Sequence, residues 1–134
     1  MASLNMQGPY PLTKDKIDEI ITKTSAGNYA LGYVNEDKTF IVQYVGRADI
    51  DVSDRKSVVY VGRADADVAS RLKQHVGEKY KRFKYSYATS PKAAFEKECH
   101  NYHDFGESKS LDNKIHPDRP ANSNWKCPRC NIFD

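Results

Sequence analysis

Three cysteines and a histidine carry the sharpest spacing in this sequence. Cys127-Pro128-Arg129-Cys130 has the two-residue gap of a zinc knuckle. Cys99 and His103 stand at i and i+4, so on a helix both point to one side. Together Cys99, His103, Cys127 and Cys130 make a complete tetrahedral set that uses every cysteine in the chain, and a structural Zn²⁺ is the expectation. His100 and His116 are alternative nitrogen ligands. Two plainer readings compete. A redox Cys-x-x-Cys would stand at a helix N-terminus after a strand, and nothing in the sequence provides that context. Cys99 by itself reads equally as a small buried apolar residue.

A second grouping is basic and aromatic. Arg71 and His75 lie one helical turn apart. From Arg71 to Lys84 there are six lysines or arginines and one acidic residue, Glu78, with Tyr80, Phe83, Tyr85 and Tyr87 interleaved. Lys73, Lys79, Lys81, Arg82 and Lys84 are therefore candidate nucleic-acid contacts, through phosphates with some base stacking. A strand edge protected by lysines would look the same. No helix-turn-helix or other groove-reading unit is visible, so sequence specificity is expected to be low.

The elements that position these residues follow from local pattern. Residues 1–12 read as a flexible leader. Thr13 is a helix N-cap, and Ile17, Ile20 and Ile21 give residues 14–24 one apolar stripe. Tyr29–Val34 and Thr39–Val45 are strands joined by the turn Asn35-Glu36-Asp37-Lys38. Residues 66–77 form a helix closed by Gly77, and residues 82–88 alternate as a third strand. Ser90-Pro91 opens a helix that runs to about Asp104 and stops at Gly106. Residues 106–134 are loop-rich, and zinc would pin them to that helix. The expected fold is α+β: a three-stranded, mainly antiparallel sheet flanked by helices.

The chain has 134 residues, 39% apolar and 29% charged, enough for one soluble domain with a real core. A net charge of +3 is too small to imply a polyanion partner by itself. No 18-residue apolar run is present, so no membrane span is expected. The first ten residues lack the basic start and apolar core of a secretory signal. The odd cysteine count speaks against a disulfide scaffold and for a reducing, cytoplasmic setting.

One segment is duplicated. Tyr44-Val45-Gly46-Arg47-Ala48-Asp49-Ile50-Asp51-Val52-Ser53-Asp54-Arg55 recurs sixteen residues on, as Tyr60 to Arg71, with nine of twelve positions identical. Two such units are too few and too short for a solenoid.

The chain resembles the GIY-YIG nuclease family over about residues 27–105. Gly27-Asn28-Tyr29 stands where that family has Gly-Ile-Tyr, and Tyr60-Val61-Gly62 or Tyr44-Val45-Gly46 stands for Tyr-Ile-Gly. Arg71-Leu72-Lys73-Gln74-His75 matches the arginine and later histidine of the first family helix, and Ala93-Ala94-Phe95-Glu96 the helix with the single catalytic glutamate. The resemblance implies divalent-metal hydrolysis of DNA phosphodiester bonds. Glu96 would hold Mg²⁺ or Mn²⁺, a hard cation that prefers oxygen ligands and keeps its waters. Arg71 would meet the phosphate charge. Tyr60, with Tyr29 beside it, would position or deprotonate the attacking water, and His75 is the reserve for proton transfer. A phenol pKa near 10 needs a neighbouring cation to lower it. The second repeat copy is the expected catalytic one, because Tyr60 and Arg71 then keep the family's close spacing. An asparagine beyond the glutamate helix often completes such sites; Asn113, Asn122 and Asn124 are the candidates. Zinc would be an addition to the family core, and on one helix His103 lies about 10 Å beyond Glu96, so the two metals would be distinct. The rival expectations are a non-catalytic nucleic-acid-binding module of the same fold and a zinc-stabilised interaction domain.

Overall fold

The computed structural model describes residues 4–22, 25–48, 67–117 and 124–133. Four strands, β1 (Gln7–Pro11), β2 (Gly27–Val34), β3 (Phe40–Ala48) and β4 (Arg82–Tyr87), form one antiparallel sheet in the order β1-β4-β2-β3. The helices are α1 (Lys14–Ile20), α2 (Val68–Gln74), α3 (Pro91–Asp104) and the single turn α4 (Glu107–Ser110). The architecture is a small α+β fold with one strand more than the sequence suggested.

The extra strand lies inside the supposed leader. Glycine and proline disguise Gln7–Pro11 as loop, yet an edge strand tolerates proline. Tyr10 fixes it, with its ring 5.6 Å from that of Phe83 and 6.3 Å from that of Tyr85. The caps follow the sequence. The Lys16 amide donates to the Thr13 hydroxyl at 3.1 Å, the Ser70 amide to Asp67 at 2.8 Å, and the Ala93 amide to the Ser90 hydroxyl at 3.0 Å. Each such cap contributes about 1 kcal/mol. α1 is shorter than residues 14–24, because Ile21 already has extended backbone.

The sheet is covered on both faces, so β2 is buried along Gly27–Gly32. Its alternation sends Tyr29 and Leu31 to one face, where they pack with Ile17, Val68, Leu72 and Phe83. Ala30 turns to the other face and packs with Val45, Leu4, Tyr102 and Leu111. Full burial of each large side chain contributes roughly 1.5–3 kcal/mol. The tail residue Cys127 packs on Phe95 and Cys99 of α3, with Trp125, Cys130 and Phe133 around them.

β3 is an edge strand, and a strap of chain at residues 111–117 covers part of its free side. The Asp112 amide donates to the Gln43 carbonyl at 2.7 Å. The Asn113 side chain accepts from the Val45 amide at 3.0 Å and donates to the Val45 carbonyl at 2.8 Å. One side-chain amide thus does what a neighbouring strand's peptide would do. No helix among the described residues is long and apolar enough to cross a membrane.

Candidate active-site cleft and metal cluster

Beside the strap opens a cleft of about 300 Å³, lined by Tyr29, Tyr44, Arg47, Arg71, Glu98 and Asn113 among others. Tyr29 comes from β2 and Tyr44 from β3, on the same face of the sheet, with ring centroids 6.4 Å apart. Tyr29 lies over Gly46, its partner across the ladder. A Cβ at Gly46 would stand 2.5 Å from the Tyr29 hydroxyl oxygen and 2.7 Å from Cε2, so glycine there is what lets the ring lie down.

A hydrogen-bonded series of side chains runs behind Tyr29. Its hydroxyl is 3.2 Å from His75 Nε2, and His75 Nδ1 is 2.7 Å from a Glu78 carboxylate oxygen. A carboxylate only accepts, so Nδ1 carries the proton and Nε2 of the neutral ring is left to accept from the phenol. His75 also packs against Tyr44, at 5.2 Å between centroids.

Of the charged residues in the cleft, Glu98 is buried and Arg47 and Arg71 are half-buried. Glu98 is 8% exposed and pairs with Arg47, whose guanidinium lies 5.0 Å from the Phe95 ring centre. Arg71 Nε is buried with no hydrogen-bond partner among the described residues. Burial pushes the Tyr29 phenol above its ordinary value, Tyr44 and Glu98 push the same way, and Arg71 opposes them. Tyr44 is also raised, by burial first and then by Glu98, against Arg71. The arginine acts in the expected direction, but desolvation outweighs it.

The expected glutamate is not the one in the cleft. Two residues along a helix is about 200° of rotation. Glu98 faces Arg47, whereas Glu96 lines a separate surface hollow with Leu4, Lys97, His100 and Asp104. The signal was present in the sequence. Ala94, Phe95, Cys99 and Tyr102 form the buried stripe of α3, and Glu98 falls inside it. A carboxylate on a core-facing stripe is a functional flag in its own right.

The duplication also resolves differently. The strand beside β2 is the first copy, Tyr44-Val45-Gly46-Arg47. Tyr60 lies outside the described residues, so the structure does not place that expected catalytic phenol. Arg71 belongs to the second copy and lines the cleft from α2. Among the described residues the first copy lines the cleft through Tyr44, Gly46 and Arg47, and the second through Arg71. Of the candidate asparagines, Asn113 lines the cleft, Asn124 is exposed, and Asn122 lies outside the described residues.

Two of the candidate nucleic-acid contacts are engaged by acidic partners. Lys73 pairs with Asp18, and Lys79 pairs with Asp112 at 2.8 Å. Arg82 and Lys84 alternate with Phe83 on β4, and Lys84 Nζ lies 5.4 Å from the Phe40 ring centre. Lys81 is exposed.

The second constellation is a metal cluster. Ligand atoms of His103, His116, Cys127 and Cys130 all lie within 4.8 Å of one another and could hold a metal ion. His103, Cys127 and Cys130 were expected; His116 stands where Cys99 was. Cys99 is wholly buried against Phe95, and burial pushes its thiol up, with a hydrogen bond to Cys127 adding to this. It backs the cluster as a small apolar residue. His116, named from the sequence as an alternative nitrogen ligand, comes from the strap.

The imidazole geometry bears on the occupant. His103 Nδ1 faces Glu107 at 2.6 Å, and His116 Nδ1 faces the Pro117 carbonyl at 2.7 Å. Both partners only accept, so each Nδ1 donates and both neutral rings present a bare Nε2. Those two nitrogens are 3.1 Å apart, and His116 Nε2 is 3.4 Å from Cys130 Sγ. Lone pairs facing lone pairs repel unless a positive charge stands between them. Tetrahedral Zn²⁺ needs about 3.3 Å between nitrogens and about 3.8 Å between sulfurs, given its bond lengths.

Comparison with protein-family models, with curated proteins and with solved structures returns no match to this chain. What the molecule does must therefore be argued from these two constellations.

Proposed function

We propose that this chain is a metal-dependent endonuclease of the GIY-YIG type that hydrolyses DNA phosphodiester bonds, with a structural zinc ion beside its catalytic cleft. The observation that carries the reading is the meeting of Tyr29, Tyr44, Arg71, His75 and Glu98 around one cleft, from four different elements. Glu98 is the one carboxylate lining the cleft among the described residues, a donor that suits a divalent ion keeping most of its waters, and a cleft of about 300 Å³ has space for several. Mg²⁺ or Mn²⁺ held by Glu98 would supply Lewis-acid polarisation of the phosphate and of the leaving oxygen.

The chain's own residues supply the rest. Arg71, with a buried donor still unmatched, binds the phosphate and stabilises charge as the phosphorane forms. Arg47, which now neutralises Glu98, is released for the phosphate oxygens once another cation meets that carboxylate. Tyr29 orients the attacking water and takes its proton as the phenol's own proton moves to His75 Nε2, so the buried hydroxyl stays neutral, and Glu78 steadies the resulting imidazolium. Tyr44 closes the water's other side.

The Arg47–Glu98 pair also favours a second reading: a nucleic-acid-binding module of this fold that has no catalytic metal, its carboxylate answered by arginine. One experiment separates the two. Cleavage of plasmid DNA is followed with and without Mg²⁺, for the natural chain and for Glu98→Gln. The nuclease reading expects Mg²⁺-dependent cleavage that Glu98→Gln abolishes while salt-sensitive DNA binding persists. Binding without cleavage supports the module, and absence of both overturns the nucleic-acid reading altogether.

A further inference from the structure

His116 belongs to two places at once: it lines the cleft, and it offers a nitrogen to the metal cluster. Three residues before it, Asn113 makes both hydrogen bonds of a strand neighbour to Val45, between Tyr44 and Gly46. One residue earlier still, the Asp112 amide bonds Gln43, and its carboxylate accepts from the Tyr80 hydroxyl at 2.9 Å. The strap is thus stitched to β3 at its start and joined to the cluster at its end. Beyond Leu111 its apolar anchoring comes down to the buried Pro117 and the His116 ring against Tyr102 and Phe133, while Ile115 is 76% exposed. A short segment with few apolar contacts opens readily unless something else holds it.

We propose that the metal ion held by His103, His116, Cys127 and Cys130 is the clamp that fixes this strap as one wall of the cleft. Through His116 the ion holds residues 111–117 against β3, and with them Asn113 at the Tyr44–Gly46 stretch of that strand. The other ligands come from α3 and from the tail, so the ion ties three separate segments at one point. The consequence for catalysis rests on the nuclease reading; the clamp itself does not.

The test uses the full chain, loaded with Zn²⁺ and then stripped with a zinc-selective chelator in the presence of excess Mg²⁺. Amide hydrogen exchange is read residue by residue. Removal of zinc is expected to abolish protection of the Val45 and Asp112 amides, which depend on the strap, and to leave Leu31 and Phe83 in the central ladder protected. Cys130→Ser should reproduce the change, and Cys130→His, which keeps a ligand, should reverse it. His116→Ala gives the strap effect with the core intact if Cys130→Ser fails to fold. Failure to bind zinc stoichiometrically, unchanged protection at Val45 and Asp112 after stripping, or uniform loss across the whole sheet would each overturn the proposal. Zinc-dependent protection in a protein that cleaves no DNA would keep the clamp and refute the nuclease reading.

Discussion

Gly46→Ala is the most discriminating single change. The added Cβ would fall within 2.5 Å of the Tyr29 hydroxyl oxygen, about 1 Å inside ordinary contact. Tyr29 is 3% exposed and packed in the core with Leu72 and Val68, so the conflict behaves as overpacking, which costs about 1–3 kcal/mol. For a chain of this length the unfolding entropy is about 0.3 kcal/mol/K, so the melting temperature should fall by about 4–11 °C. The phenol must also retreat from His75, and a displacement of about 1 Å would break their 3.2 Å contact and lower kcat by about 100-fold. Thermal melts on a two-by-two set of variants supply the check. In a Tyr29→Ala background the ring is gone, and alanine becomes better than glycine in a strand by about 0.5–1 kcal/mol. The sign of Gly46→Ala should therefore reverse. An equal loss of stability in both backgrounds would refute the account of why this strand has glycine there.

Three further outcomes are expected. Glu98→Gln should lower Mg²⁺-dependent cleavage by at least about 100-fold, whereas Glu96→Gln, on the other side of α3, should leave it unchanged; steady-state cleavage assays compare them. Asn113→Ala strips two buried partners from Val45 and should cost about 2–4 kcal/mol by denaturant unfolding, with strap and cleft affected together. Lys79 holds Asp112 below its usual pKa of 3.8, followed by its hydrogen bond from Tyr80. A depressed folded-state pKa contributes stability that is present above about pH 4 and is lost as pH falls through the folded value. Asp112→Asn should accordingly flatten the acid limb of a stability-against-pH curve, read from melts between about pH 2 and 5.

Local signals in the sequence carried far. Thr13, Ser90-Pro91 and Gly106 mark helix ends by chemistry that needs no tertiary context, and each stands where the fold uses it. The α+β class and the Arg71 helix were legible for the same reason. β1 was not, because Gln7-Gly8-Pro9 has the composition of a loop and becomes a strand only through Tyr10 packing on Phe83. The choice of Glu96 followed the short match Ala93-Ala94-Phe95-Glu96, while helix rotation and the apolar stripe of α3 turn Glu98 toward the cleft. His116 sits in a segment whose position is set by hydrogen bonds from Asp112 and Asn113 to a distant strand, and spacing along the chain holds no record of those.

A cleft shared between two copies of one unit has an economy built in. Ala48 ends β3 opposite Gly27, and the Val68 amide bonds the Ser25 carbonyl at 3.1 Å, so the end of β3 and the start of α2 are both moored beside the start of β2. Excising the sixteen residues Asp49–Ala64 would join Ala48 to Asp65 and leave two residues before Asp67, a reach of about 11 Å. Tyr44 and Arg71 would then stand eleven residues apart, as the tyrosine and arginine do within either copy, and every described residue would be retained. The shorter chain should keep both constellations, which makes the duplicated stretch the natural place to insert foreign sequence.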